Sequence, residues 1–94
     1  SPEGANSLVW RGARTPAEAA KAMKITAQDL LAMKIVDRII PEPAGGAHSD
    51  PEATLKSVGD AIEQELKALE RLTPEELRKQ RADRFYAIGR AGLP

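Results

Sequence analysis

At 94 residues the chain makes one small domain at most, and its 14 acidic and 14 basic side chains cancel, which excludes the strongly basic footprint of a nucleic-acid binder. With no cysteine there is no disulfide and no thiolate–zinc site; no signal peptide or 18-residue apolar run is present, so the expectation is a soluble, cytoplasmic protein that does not enter a membrane. Sixteen residues are alanine and 23 are larger apolar side chains, which predicts a thin core at about 25 cal/mol per Å² buried.

Proline punctuates the chain. Ser1-Pro2, Thr15-Pro16, Asp50-Pro51 and Thr73-Pro74 each place an oxygen-bearing cap before a residue whose missing amide costs nothing at a first helical position. Glu18 and Glu76 stand three residues after their threonines, and Asp29 three after Thr26, the spacing of a capping box. These signals predict helices over 2–11, 16–23 and 27–33. The apolar run from Ile35 to Ile40, interrupted by Asp37 and Arg38, predicts one short strand over 35–40. Pro41 and Pro43 around Glu42 stop any ladder or helix, and Gly45-Gly46 loosens the backbone, so 41–49 is a loop. Helices over 51–72 and 74–88 complete the map.

In the long helix Leu55, Val58, Ile62, Leu66, Leu69 and Leu72 recur every three or four residues and form one apolar stripe, expected to be buried. Gly59 within it marks either a close helix approach or an indifferent solvent position. The last helix has a weaker side of Leu77, Arg81, Phe85 and Ile88. Charge divides between the two: six acids and two bases from Asp60 to Glu76, five bases and one acid from Arg78 to Arg90. Solvated faces explain that split, as does a basic face for a nucleotide phosphate or an acidic partner. Without regularly interleaved aromatics it does not select nucleic acid.

Few residues invite chemistry. His48 is the single histidine; with no second histidine, cysteine or carboxylate pair at ligand spacing, a metal is disfavoured and a loop or capping role is expected. Trp10 reads as a packing anchor. No catalytic residue is assigned.

Ser1-Pro-Glu-Gly-Ala-Asn-Ser-Leu-Val-Trp10, the Ala-rich segment into Ile25-Thr-Ala-Gln-Asp-Leu30, the run Ile39-Ile-Pro-Glu-Pro-Ala-Gly-Gly-Ala-His48 and Leu72-Thr-Pro-Glu-Glu-Leu77 together resemble the alpha-subunit family of bacterial acetyl-coenzyme A carboxylase carboxyltransferases. Ala5 departs from the pattern, since many members carry cysteine there. The family subunit is several times longer, so the chain is expected to be a C-terminal piece. The resemblance implies a fold that is mainly α with one short strand, the end of a crotonase-like α/β core over 1–49 followed by a C-terminal helical pair over 50–94.

It also implies the activity of an ATP-binding enzyme of fatty acid synthesis, in which a carboxyl group passes from carboxybiotin to acetyl-CoA to give malonyl-CoA. The implied partners are a carboxyltransferase beta subunit, a second alpha subunit and the biotin carboxyl carrier protein. Carboxybiotin and the coenzyme A thioester would be held by the full enzyme, with no cofactor bound by this piece, which alone is expected to be inactive. By similarity to related acyl-CoA carboxyltransferases, Glu3, Gly4 and Ala5 are substrate-proximal; by propensity alone Ser1-Pro2-Glu3 is simply a good helix start. Two other readings stand beside this one: a helical subunit-assembly module without substrate contact, and the tail of an enoyl-CoA hydratase or isomerase. The continuation Pro41-Glu-Pro-Ala-Gly-Gly-Ala-His48 separates the last from the first.

Overall fold

The computed structural model describes residues 1–91. Its helices are α1 (Pro2–Trp10), α2 (Pro16–Met23), α3 (Ala27–Ala32), α4 (Pro51–Glu70) and α5 (Pro74–Ala91), with a short 3-10 turn at Ala47–Ser49. They fall into two compact units, one from Ser1 to Ile39 and one beginning at Ile40.

Local caps fix where the helices start. Ser1 Oγ accepts the Gly4 amide at 3.1 Å, and Asp50 Oδ1 accepts that of Ala53 at 3.1 Å. Thr15 with Glu18 and Thr73 with Glu76 close full capping boxes, the glutamates accepting the threonine amides at 2.8 and 2.9 Å and the hydroxyls accepting the glutamate amides at 3.2 Å. The third box is modified. Asp29 accepts from the Thr26 hydroxyl at 2.7 Å rather than from its amide, because aspartate is one methylene shorter than the glutamate that normally reaches back. Helix exits are equally local: Arg11, Lys24 and Lys34 adopt left-handed φ of 53, 51 and 59°, places usually taken by glycine.

In the first unit α1 packs on α2, and Ala19 of α2 is fully buried. Asn6 secures the corner: its Oδ1 accepts the Arg14 amide at 3.0 Å and its Nδ2 donates to the Arg14 carbonyl. One side chain thereby satisfies both backbone groups of a loop residue. Arg14 in turn lies 4.8 Å over the ring of the half-buried Trp10.

The expected strand over 35–40 does not form. Among the described residues there is no strand at all, so the described chain is helical with irregular connections and not mixed α/β. Its apolar, β-branched composition favours extension only when a neighbouring strand completes the ladder. Instead the Ile35 and Val36 amides turn back to the Leu30 carbonyl, at 2.9 and 3.4 Å, and finish α3.

In the second unit the Gly46 amide bonds the Pro43 carbonyl at 2.9 Å, a turn with Gly45 at φ 89° where a positive angle is required. Thr54 on α4 donates to the carbonyls of Ala47 (3.1 Å) and Asp50 (2.9 Å), tying the 3-10 turn to the helix. Exposed i,i+4 pairs Lys56–Asp60, Glu63–Lys67 and Lys79–Asp83 decorate α4 and α5, where solvent screening leaves each a small contribution.

The expected burial of the α4 stripe is not found beyond Val58 and Leu72, which are half-buried. Leu55, Ile62, Leu66 and Leu69 are 72, 54, 53 and 42% exposed, and Leu77 and Phe85 on α5 are exposed too. Ala61, beside the stripe, is the buried residue of α4. One helix with a broad apolar face needs a second of comparable breadth to cover it, and α5 offers a face interrupted by Arg81.

Candidate functional site

The first turn of α1 holds Glu3, Gly4 and Ala5 together on one helix start. Proline at its first position has no amide to offer, and the amides behind it are occupied. Gly4 donates to Ser1 Oγ and Ala5 to the Ser1 carbonyl at 2.9 Å. Glu3 folds over its own backbone amide. That bond, then one from the Ser1 hydroxyl, holds its carboxyl below the 4.5 of a free glutamate. A ligand approaching this turn would have to displace the Ser1 hydroxyl before it met a free Gly4 donor. The glycine itself answers no local demand: a Cβ there would meet only Ser1 Oγ, at an ordinary 3.4 Å.

The second segment of interest is the loop before α4. Gly46 has φ 100° and ψ 170°, a conformation essentially confined to glycine. Its missing Cβ would come within 3.2 Å of His48 Cε1 and Nδ1 and 3.9 Å of a Glu42 carboxylate oxygen. The exposed His48 ring therefore covers a glycine face, as a loop residue. Ser49 Oγ donates toward the Ala44 and Gly46 carbonyls, at 2.7 and 2.6 Å, and braces the same turn. Among the described residues no group of three or more His, Cys, Asp or Glu could hold a metal ion, and no helix is long and apolar enough to cross a membrane.

Sequence reasoning passed over Asn6. An available signal was an asparagine inside a helix, where its side chain competes with the backbone and lowers propensity; that is costly unless it serves a partner, here Arg14.

Residues 1–89 match the acetyl co-enzyme A carboxylase carboxyltransferase-like family, and the chain belongs to that family. It is 74% identical over 93 residues to the acetyl-coenzyme A carboxylase carboxyl transferase subunit alpha of Phenylobacterium zucineum (strain HLK1). It is 67% identical to that of Caulobacter sp. (strain K31) and 63% identical to that of Caulobacter vibrioides (strain NA1000 / CB15N). In each case 99% of this chain is covered but only 29% of the relative, its C-terminal part.

Proposed function

We propose that the chain is the C-terminal part of a carboxyltransferase alpha subunit whose full-length form, with a beta subunit, transfers a carboxyl group from carboxybiotin to acetyl-CoA and yields malonyl-CoA. The observation that carries this is the 74% identity to an alpha subunit across 93 residues, including the whole Pro-Glu-Pro-Ala-Gly-Gly-Ala-His loop within the matched span. Membership of this family also favours carboxyl transfer over the hydratase or isomerase reading.

The transfer breaks the C–N bond of carboxybiotin and one C–H bond of the acetyl-CoA methyl group, forms a C–C bond at that carbon, and leaves the methyl proton on the biotin nitrogen that lost its carboxyl group. Negative charge develops on the thioester oxygen and on the ureido oxygen of biotin, and each position calls for prearranged donors. This chain's α1 amides are already paired within their own cap, so its part is scaffold and subunit contact, with Glu3, Gly4 and Ala5 forming a wall near the carboxybiotin side. Support for that wall comes from Gly4, a glycine the local backbone does not need and close approach of a ligand would. The carrier protein, a second alpha subunit and a cytoplasmic setting belong to the same reading.

The test is malonyl-CoA formation by the full-length subunit carrying this chain, assembled with its beta subunit, beside the same subunit cut before Ser1. Turnover by the first and none above blank by the second or by residues 1–94 alone is the expected result. A full-length assembly that consumes no carboxybiotin would sink the reading. Gly4→Val in that assembly tests the wall: turnover should fall at least tenfold with the thermal midpoint unchanged, and full turnover would leave α1 as a helix start alone.

A further inference from the structure

We infer that Asn6 is a positioning residue: by clamping the backbone of Arg14 it sets the direction in which Glu3, Gly4 and Ala5 are presented to the carboxybiotin side of the assembled enzyme. Its side chain reaches a partner eight residues along the chain, Oδ1 accepting the Arg14 amide at 3.0 Å and Nδ2 donating to the Arg14 carbonyl. Its own carbonyl accepts the Gly12 amide at 2.9 Å. Arg14 is followed at once by Thr15, the cap of α2. The middle of α1 is thereby joined directly to the start of α2.

The link it spans does not choose a direction on its own. Arg11 and Gly12 have φ of 53 and 77°, and the buried side chain where α1 packs on α2 is Ala19, whose small area resists rotation of one helix on the other only weakly. The contact of the Arg14 guanidinium with Trp10, at 4.8 Å, joins two side chains that each keep rotatable bonds. The Asn6 amide plane instead meets both backbone groups of one residue at once, which admits one orientation. At 100° per residue Asn6 lies about 200° round α1 from Gly4, so the clamp and the glycine occupy opposite sides of the helix. Leu8, one turn beyond Gly4 on its side, is 86% exposed; that side is turned away from the corner. Asn6 therefore does not touch a ligand that approaches Gly4, and acts on it through the helix between them. Small shifts matter there, since a misplacement of about 1 Å at a reacting centre costs on the order of a hundredfold in rate.

This inference deepens the proposed function and rests on its placement of the first turn of α1 near carboxybiotin. The test is steady-state malonyl-CoA formation by the full-length subunit assembled with its beta subunit, comparing Asn6→Ala and Arg14→Ala with the parent. Alanine is the better helix former, so α1 survives the change and the thermal midpoint should move by less than about 3 °C. In Asn6→Ala the KM for carboxybiotin should rise at least fivefold while that for acetyl-CoA stays within twofold. Arg14→Ala keeps both backbone groups that Asn6 holds and should leave both constants within twofold. A merely structural role would lower kcat through loss of active enzyme and leave both KM values in place; that result, or an equal rise in Arg14→Ala, overturns the inference. Asn6→Asp keeps the shape and the acceptor but sets a second acceptor against the Arg14 carbonyl, so it carries the same expectation where Asn6→Ala does not assemble. A parent assembly without turnover sinks the carboxyltransferase reading and this inference with it, whereas turnover in the parent with an unchanged carboxybiotin KM in the Asn6 variant sinks the positioning role alone.

Discussion

Two glycines in this chain have opposite reasons for being glycine. Gly46 holds a backbone conformation that a Cβ cannot share, with the His48 ring at 3.2 Å, so Gly46→Ala should cost about 1–3 kcal/mol of local stability, read as increased amide exchange from Gly45 to Thr54. Gly4→Ala meets only Ser1 Oγ at 3.4 Å and should leave the unfolding midpoint within about 0.5 kcal/mol of the parent. Equal effects of the two would show that the loop is less constrained than its dihedrals state. Glu18 supplies a pH prediction. Its carboxyl is held below 4.5, first by the Thr15 amide and then by the Thr15 hydroxyl. A depressed folded value means the cap contributes fully above 4.5 and loses that contribution as pH falls through the folded value. A carboxyl titration by NMR should place Glu18 below 4.5, and the α2 helical signal should decline over the same window; Glu18→Gln should abolish that decline. A titration at or above 4.5 would dissolve the box.

The α-helices were legible because their signals are short-range. Thr15-Pro16 with Glu18 and Thr73-Pro74 with Glu76 specify a start within three residues, whatever lies elsewhere, and these starts stand where the sequence puts them. Ile35 to Ile40 was misread for the converse reason, since a strand is a property of two segments and the sequence of one cannot supply the other. The α4 stripe was legible as a stripe; its burial was not, because periodicity says which side is apolar and is silent on what covers it. At Gly59 nothing lies within 4 Å of where a Cβ would stand, so it makes no close approach. Gly59→Ala should therefore raise stability by about 0.5–1 kcal/mol through helix propensity. Ile62→Asp, at a site 54% exposed, should shift the midpoint of residues 1–94 by less than about 1 kcal/mol. Circular dichroism melts check both, and a loss of several kcal/mol for Ile62→Asp would mean that the stripe is buried after all.

For the molecule as a whole, the buried apolar side chains among the described residues are two alanines, Ala19 and Ala61. Such a core stabilises little by area, and the helices are held mainly by their own caps, Asn6 and i,i+4 pairs. Cooperativity should accordingly be weak: urea unfolding of residues 1–94 monitored at Trp10 and by far-ultraviolet helicity should give non-coincident transitions, since Trp10 reports the first unit alone. Coincident, steep curves would instead indicate one cooperative body. The candidate site shows the same limit of legibility. Glu3, Gly4 and Ala5 could be singled out through a family resemblance carried by their motif, but the pairing of their amides inside the Ser1 cap depends on rotamers that composition does not encode.

The three cationic helix exits have a consequence for handling the protein. Arg11, Lys24 and Lys34 are exposed, sit at left-handed turns and end helices of nine, eight and six residues, where backbone opening requires the least unfolding. Lys56 and Lys67 lie inside the 20-residue α4 and are engaged with Asp60 and Glu63. A trypsin-like protease at limiting dose should therefore cut after the exits of α1, α2 and α3 before it cuts within α4.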